Sequence, residues 1–475
     1  MTGARTATQR LADFCAGLAW SALPSDARER TKELVLDHVG VAIRGSATPS
    51  GEAVRRYVER ASANGPSNGT PASSDHASLL GTGVRASAPW AALANGTSAH
   101  SIEMDDVTTE SSLHPGVPVI PAALALAEER GASAIAFLEA VVAGYEVVMR
   151  VGNALGGANA YGRGFHPTGV AGTFGAAAAA SRVLGLDADA MTRALGIAGT
   201  MASGSLEYLS DGAWTKRLNP GWAAHSGVVA AELAAEGFSG PATAIEGTHG
   251  ALRSFTDDPR PERLLADLGA PLQVMRVSIK PYGCCRYNHG LIDCMLRLRR
   301  DGLAPEDVER ITLHVLSGGA ALVADPIERK RDPRNVVDAQ FSAPYAAAVA
   351  LVRGAAGLGE FGDDVIADAA IRALMARTDC VRDASLDAMY PEVWPAAVTV
   401  RTRDGRTLEA RITHALGEPE NPVPREALVE RFVGLTTAAM DEDQGRALAA
   451  TILSLDTRTD LSRLFARPVA AASRA

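Results

Sequence analysis

The chain of 475 residues is longer than one hydrophobic core normally supports, so two domains, or one large domain with an excursion, are expected. Hydrophobic residues make up 47% and charged residues 21%, while aromatics at 5% are sparse, a balance that favours helices packed closely through small side chains. A formal charge of −9 with scattered Lys and Arg excludes the concentrated basic face that nucleic acid or an anionic membrane would need.

The opening "MTGARTATQRLADFCAGLAW" has too short an apolar stretch for a secretory signal, and five cysteines is an odd count, so a reducing cytoplasm is the expected location. Residues 8–43 repeat apolar side chains at helical spacing, with Ser25 in "LPSDARERTKELVLDHVGVAI" expected as a helix cap. "ANGPSNGTPASSDHAS" has the Gly, Pro, Asn and Ser density of a surface loop, and "LLGTGVRASAPWAALANGTSAH" begins another helix.

From residue 116 to residue 235 successive helices are expected in "VPVIPAALALAEERG", "AIAFLEAVVAGYEVVMRVGNAL", "PTGVAGTFGAAAAASRVLGL", "ADAMTRALGIAGTMA" and "NPGWAAHSGVVAAELAAEG". Several are apolar nearly all round, which marks helices buried on every side. Their many glycines cost about 1 kcal/mol each relative to Ala, so they imply close backbone approach. The most apolar windows are broken by Gly, Ser or Arg before reaching the roughly twenty residues of a membrane span.

Around residue 275 the texture changes. "VMRVSIKPYG" and "ERITLHVLS" alternate like strands, and "AAVTVRTRDGRTLEARITHA" is a hairpin whose Asp404-Gly405 turn is of the favoured two-residue type. Helices are expected between them in "NHGLIDCMLRLRRDG" and "SAPYAAAVALVRG", and "PREALVERFVGLTTAAM" and "DEDQGRALAATILSLD" return to plain helix. The expected class is therefore mainly α. A large all-helical domain (1–274) is followed by a smaller α+β domain (275–413) and then by C-terminal helices (414–475), so the α+β domain is inserted into the helical domain or appended before its last helices.

Metal and nucleotide motifs are weak. "LLGTGVRAS" lacks GxGxxG and its βαβ context, Cys284, Cys285 and His289 do not have the spacing of a tetrahedral site, and Glu103, Asp105 and Asp106 are too short a run to be diagnostic of Mg²⁺. No metal and no cofactor are expected. The better anomalies are polar groups at element ends beside very apolar sequence, the way a concave site on rigid elements is lined. They are the cluster His100, Glu103, Asp105, Asp106 and His114, then His166 before Pro167, Lys216 and Arg217 beside Trp214, and Lys280 followed by Tyr282, Cys285, Arg286 and His289. Taken singly, a histidine before Pro is more often a turn residue, His225 reads as a core histidine, and a lone Lys at a strand end is usually solvated. Recurrence is what favours a site.

"ALANGTSAHSIEMDD", "LHPGVPVIPAALALAE", "GYEVVMRVG", "FHPTGVAGTFGAAAAASRVLGL", "DGAWTKRLNPGWAAHSG", "VSIKPYGCCRYNHG", "AQFSAPYAAAVAL" and "PAAVTVRTRDGRTLEARI" resemble, in order and over nearly the whole chain, the MmgE/PrpD family. That family includes 2-methylcitrate dehydratase, cis-aconitate decarboxylase and iminodisuccinate epimerase. The resemblance implies a helical domain built from both chain ends, an α+β lid, a homodimer, and a cofactor-free site between domain and lid. It implies catalytic roles for Glu103, His114, His166, Lys216 and Lys280, with Asp105, Cys285 and Tyr345 nearby; Arg286, from the same segment as Cys285, joins these as an expected substrate contact. The family often has Asp where Glu103 stands, and its decarboxylase pattern has Thr at the position of Val107 and His at that of Cys285, which counts against decarboxylation of cis-aconitate itself.

The residue types fit one physical problem. Removing a proton next to a carboxyl builds negative charge on a substrate that is already anionic, so Lys216 and Lys280 would meet that charge, and His114 and His166 would carry protons near neutrality, oriented by Glu103 or Asp105. A hydro-lyase acting on a small di- or tricarboxylate is the expected function. An epimerase, isomerase or decarboxylase using the same proton transfer is the nearest alternative, and an inactive homodimer that binds an acid metabolite is the alternative from another class.

Overall fold

Small side chains dominate the central helices, and their placement shows why. In the computed structural model, which describes residues 4–63, 76–458 and 461, Ala134–Leu155, Pro167–Val183 and Thr215–Ala235 are helices whose Ala and Gly faces meet at backbone distance. A Cβ on Gly175 would lie 3.0 Å from the carbonyl oxygen of Gly144, so neither helix could approach the other this closely with larger residues at the crossing. Ala88–Ala99 and Gly116–Arg130 complete this core and are buried along almost their whole length.

The chain folds as two compact units, one drawn from Met1–Ser101, Asp105–Val277 and Pro424–Ala475, the other from Ile102–Met104 and Ser278–Val423. The first is helical apart from a two-residue strand pair, Ala77–Ser78 with Arg85–Ala86. The helices Arg425–Thr436 and Glu442–Leu453 at the end of the chain belong to it.

The second unit holds a four-stranded sheet in the spatial order Thr378–Arg382, Val308–Val315, Ala396–Thr402, Thr407–Ile412. The first pair is parallel, with Ile311 opposite Thr378, and the other two pairings are antiparallel. Alternate residues of Val308–Val315 and Ala396–Thr402 turn inward, where Ile311, Leu313, Val398 and Val400 form one core with Leu291, Met295, Ala346 and Ala350 of the helices His289–Arg300 and Ala343–Arg353. The hairpin turn carries Gly405 at φ +89°, the conformation that favours glycine there.

Three details differ from what the sequence pattern predicts. "VMRVSIKPYG" is not a strand: Gln273–Arg276 forms a 3₁₀ turn, and Ile279 N–H donates to the Gly417 carbonyl at 2.9 Å. Ser25 opens its helix without capping it, because Pro24 stands at the cap position. The parallel strand Thr378–Arg382 has no counterpart among the expected strands. The segment 63–78, expected as a loop, lies mostly outside the described residues. Among the described residues no helix is long and apolar enough to cross a membrane.

Candidate active site

Four helix ends carry the polar groups singled out in the first unit. His100 closes Ala88–Ala99, His114 stands two residues before Gly116–Arg130, His166 is the N-cap of Pro167–Val183, and Lys216 lies in the first turn of Thr215–Ala235. Three of these are helix N-termini, whose unpaired backbone N–H groups and dipoles favour negative charge nearby. The backbone fixes each position: His114 N–H donates to Thr168 Oγ1 at 3.1 Å, and His166 N–H to the Gly204 carbonyl at 2.9 Å.

The His100 ring touches both of the other two imidazoles. The His100 ring stacks on His166 with centroids 5.6 Å apart and meets His114 edge-on at 4.9 Å. Asp105 binds two of them through a single oxygen: Oδ2 lies 2.7 Å from His100 Nδ1 and 2.9 Å from His114 Nδ1. Tyr161 and Tyr208 flank His166 at 6.4 and 6.1 Å.

All of this is dry. Burial, opposed by Asp105, pushes the His100 pKa down to about 4, and Lys216 pushes the same way as burial. Burial also drives His166 well below its ordinary value, with His100, Lys216 and His114 adding to the effect and Asp105 opposing it. Neutral imidazoles beside an ammonium are the form in which a proton can be accepted.

Asp106 has a different task. Its Oδ1 accepts from Gly116 N–H at 2.9 Å and its Oδ2 from Tyr145 Oη at 2.6 Å, so it caps the helix that follows His114. Its own carbonyl oxygen accepts from His114 Nδ1 at 2.7 Å. Burial raises the Asp106 pKa to about 7 against the pull of Tyr145.

In the second unit Lys280 Nζ lies 3.8 Å from Glu103 Oε2, both nearly fully buried. Glu103 holds φ +57°, a left-handed conformation that costs a non-glycine residue on the order of 1 kcal/mol and marks a position held by its surroundings. Cys285 is buried, and its N–H donates to the Gln340 carbonyl at 3.0 Å. The Cys284 thiol beside it is driven up by burial, with Lys280 lowering it and Glu103 raising it.

Two expected contacts are engaged elsewhere in that unit. Arg286 pairs with Glu418 and lies 5.5 Å over the Trp394 ring, while Tyr345 sits in the core and donates from Oη to the Glu360 carbonyl at 2.6 Å. The sequence set thus separates into His114, Asp105, His166 and Lys216 in one unit and Glu103, Lys280 and Cys285 in the other. The sequence marks His100 only as part of the polar cluster and does not mark Asn219 at all, whose Nδ2 lies 3.3 Å from His166 Nδ1.

His100, Asp105 and His114 offer ligand-type atoms within 4.8 Å of one another, as do His414, Glu418 and Glu420. In the first trio one carboxylate oxygen lies 2.7 and 2.9 Å from the two ring nitrogens, which is hydrogen-bond geometry. In the second, Glu418 is already paired with Arg286.

Comparison with known proteins places these residues in context. The MmgE/PrpD N-terminal domain model matches residues 9–264 and the MmgE/PrpD C-terminal domain model residues 282–457. A cis-aconitate decarboxylase-like protein, oryM, of Aspergillus oryzae is 28% identical, over 97% of this chain and 96% of its own. Cis-aconitate decarboxylase of Aspergillus terreus is 29% identical over 96% and 95%, and that of Homo sapiens 27% over 97% and 94%.

Proposed function

Since this chain belongs to the MmgE/PrpD family of enzymes, we propose that it is a cofactor-independent lyase that removes a proton next to a carboxylate of a small di- or tricarboxylic acid and eliminates a leaving group. The observation that carries this reading is the buried His100 ring in contact with both His114 and His166, with one Asp105 oxygen bridging His100 and His114 and the Lys216 ammonium close enough to act on His100 and His166. His114 and His166 are the imidazoles that serve the proton transfer, and Lys216 together with three helix N-termini stabilises the charge that develops as the proton leaves. Lys280, a buried ammonium of the second unit, remains the residue that the family resemblance implies for carboxylate binding.

Decarboxylation is the second reading, favoured by the names of the relatives. Against cis-aconitate itself stand Val107 and Cys285, both buried and neither able to replace the Thr and His of the decarboxylase pattern as a hydroxyl or an imidazole.

The test is proton exchange. The protein is incubated in D₂O with a panel of di- and tricarboxylic acids, and substrate C–H signals are followed by NMR, with and without prior dialysis against EDTA. Loss of water with alkene formation supports the dehydratase, and CO₂ release without it supports the decarboxylase. Deuterium uptake alone supports an epimerase, and silence across the panel leaves a binding protein. His166→Ala should lose turnover far more than ligand affinity, and a chelator-sensitive rate would overturn the cofactor-free reading.

A further inference from the structure

The tautomer of each histidine follows from what faces it. A backbone carbonyl can only accept a hydrogen bond, and His114 Nδ1 faces the carbonyl of Asp106 at 2.7 Å as well as the Asp105 carboxylate at 2.9 Å. His114 therefore carries a hydrogen on Nδ1, and in the neutral ring that a base requires Nε2 holds the lone pair. His166 faces the opposite partner. Asn219 Nδ2 lies 3.3 Å from His166 Nδ1 and 3.3 Å from the carbonyl oxygen of Ser205, so it is the amide nitrogen that must stand there; the amide oxygen would oppose the Ser205 oxygen. His166 Nδ1 is thus an acceptor, and its hydrogen sits on Nε2. In both rings Nδ1 is engaged by the protein, which leaves Nε2 for the substrate.

We infer that His114 is the base of this site, that His166 is a neutral Nε2–H hydrogen-bond donor to the charge that develops, and that Asn219 is the positioning residue that holds His166 in this role. The inference rests on the proton-transfer reading above and divides it between two rings. In the step itself the substrate C–H bond breaks, its electron pair passes into the adjacent carboxyl group, and the proton moves to His114 Nε2. The resulting imidazolium is held by the Asp105 oxygen it already touches. In this step His166 keeps its Nε2 hydrogen and hydrogen-bonds the carboxyl oxygen that gains charge. A neutral imidazole suits this, because its second nitrogen already accepts from Asn219 and cannot also carry a proton without losing that bond.

The closing experiment reads the tautomers directly. In full-length enzyme labelled with ¹⁵N-histidine and assigned with His114→Gln and His166→Gln, long-range ¹⁵N–¹H correlation should show a pyrrole-type Nδ1 for His114 and a pyridine-type Nδ1 for His166. The same tautomer on both rings, or the reverse assignment, overturns the inference whether or not the enzyme turns over. Asn219→Asp sets an acceptor against His166 and should invert the pattern of that ring while lowering kcat for C–H exchange on the order of a hundredfold, the effect of removing one aimed donor, with a smaller change in KM.

Glutamine keeps a donor but cannot take a proton, so His166→Gln should retain exchange within roughly tenfold, whereas His114→Gln should lose about a thousandfold or more. Equal losses would overturn the division of roles. Tautomers as stated with no exchange from any acid would instead sink the proton-transfer reading, and the roles with it, and the two failures are therefore distinct.

Discussion

His38 shows what burying an ionisable ring costs this protein. It lies on the helix Ser25–Ser46, almost fully buried, with no hydrogen-bond partner for Nε2 among the described residues. Burial, opposed by Asp105, lowers its pKa from 6.5 to about 3. The unfolded chain takes up this proton near pH 6.5, while the folded chain resists it down to about pH 3, so the stability from the neutral ring is complete above 6.5 and is lost as pH falls through that window. The slope is about 1.4 kcal/mol per pH unit for one proton. Asp106 acts in the opposite sense, since its pKa rises from 3.8 to about 7 and the stability it contributes is lost as pH rises across that range. We expect His38→Leu to flatten the acid limb of a plot of urea midpoint against pH between 6.5 and 4, with little change near pH 7.5. An unaltered acid limb would show that this ring is protonated in the native state. His100 and His166 are depressed for the same reason, so the site shares the acid sensitivity of the core around it.

At the scale of elements, glycine decides how closely the helices meet. A Cβ on Gly227 of Thr215–Ala235 would lie 2.6 Å from the backbone atoms Ala176 C and Ala177 N of Pro167–Val183, and neither is the movable end of a side chain. Gly227→Ala should therefore cost stability by overpacking, about 1–3 kcal/mol, even though alanine is the better helix former. Since these two helices present Lys216 and His166, the variant should also slow C–H exchange. Urea denaturation and the D₂O assay check the two effects, and a stabilised variant would contradict the close crossing.

The same helices explain what is legible in the sequence. Their all-round apolar character and the Asp404-Gly405 hairpin are local signals, and the elements stand where those signals put them. Thr378–Arg382 is not legible because Asp379 and Arg382 give it the look of a surface turn; it is an edge strand, with Asp379 paired to Arg310 and Arg331. His114 and His166 announce themselves by preceding proline at a helix start. Asn219 does not, since a neutral amide gives no signal of its own and its partner His166 lies 53 residues away.

At the scale of the whole molecule, the first unit is closed by the end of the chain. Arg431 of the helix Arg425–Thr436 pairs with the buried Asp37, Arg425 pairs with Glu29 and Glu33 at 2.9 and 3.1 Å, and Phe432 sits where a Cβ on Gly40 would lie 2.8 Å from its ring. Leu428, Phe432, Val433, Leu435, Ile452 and Leu455 are buried as well. At roughly 2 kcal/mol each the burial of these six amounts to roughly 12 kcal/mol, comparable to the entire stability of a typical domain. A chain ending at Val423 keeps every residue of the proposed site yet should lose the fold that holds it. Its near-UV circular dichroism and C–H exchange should both vanish, and co-expression of residues 424–475 as a separate fragment should restore them. If the shortened chain unfolds cooperatively and still exchanges substrate protons, the C-terminal helices are an appendage, and the site is held together by the first 277 residues without them.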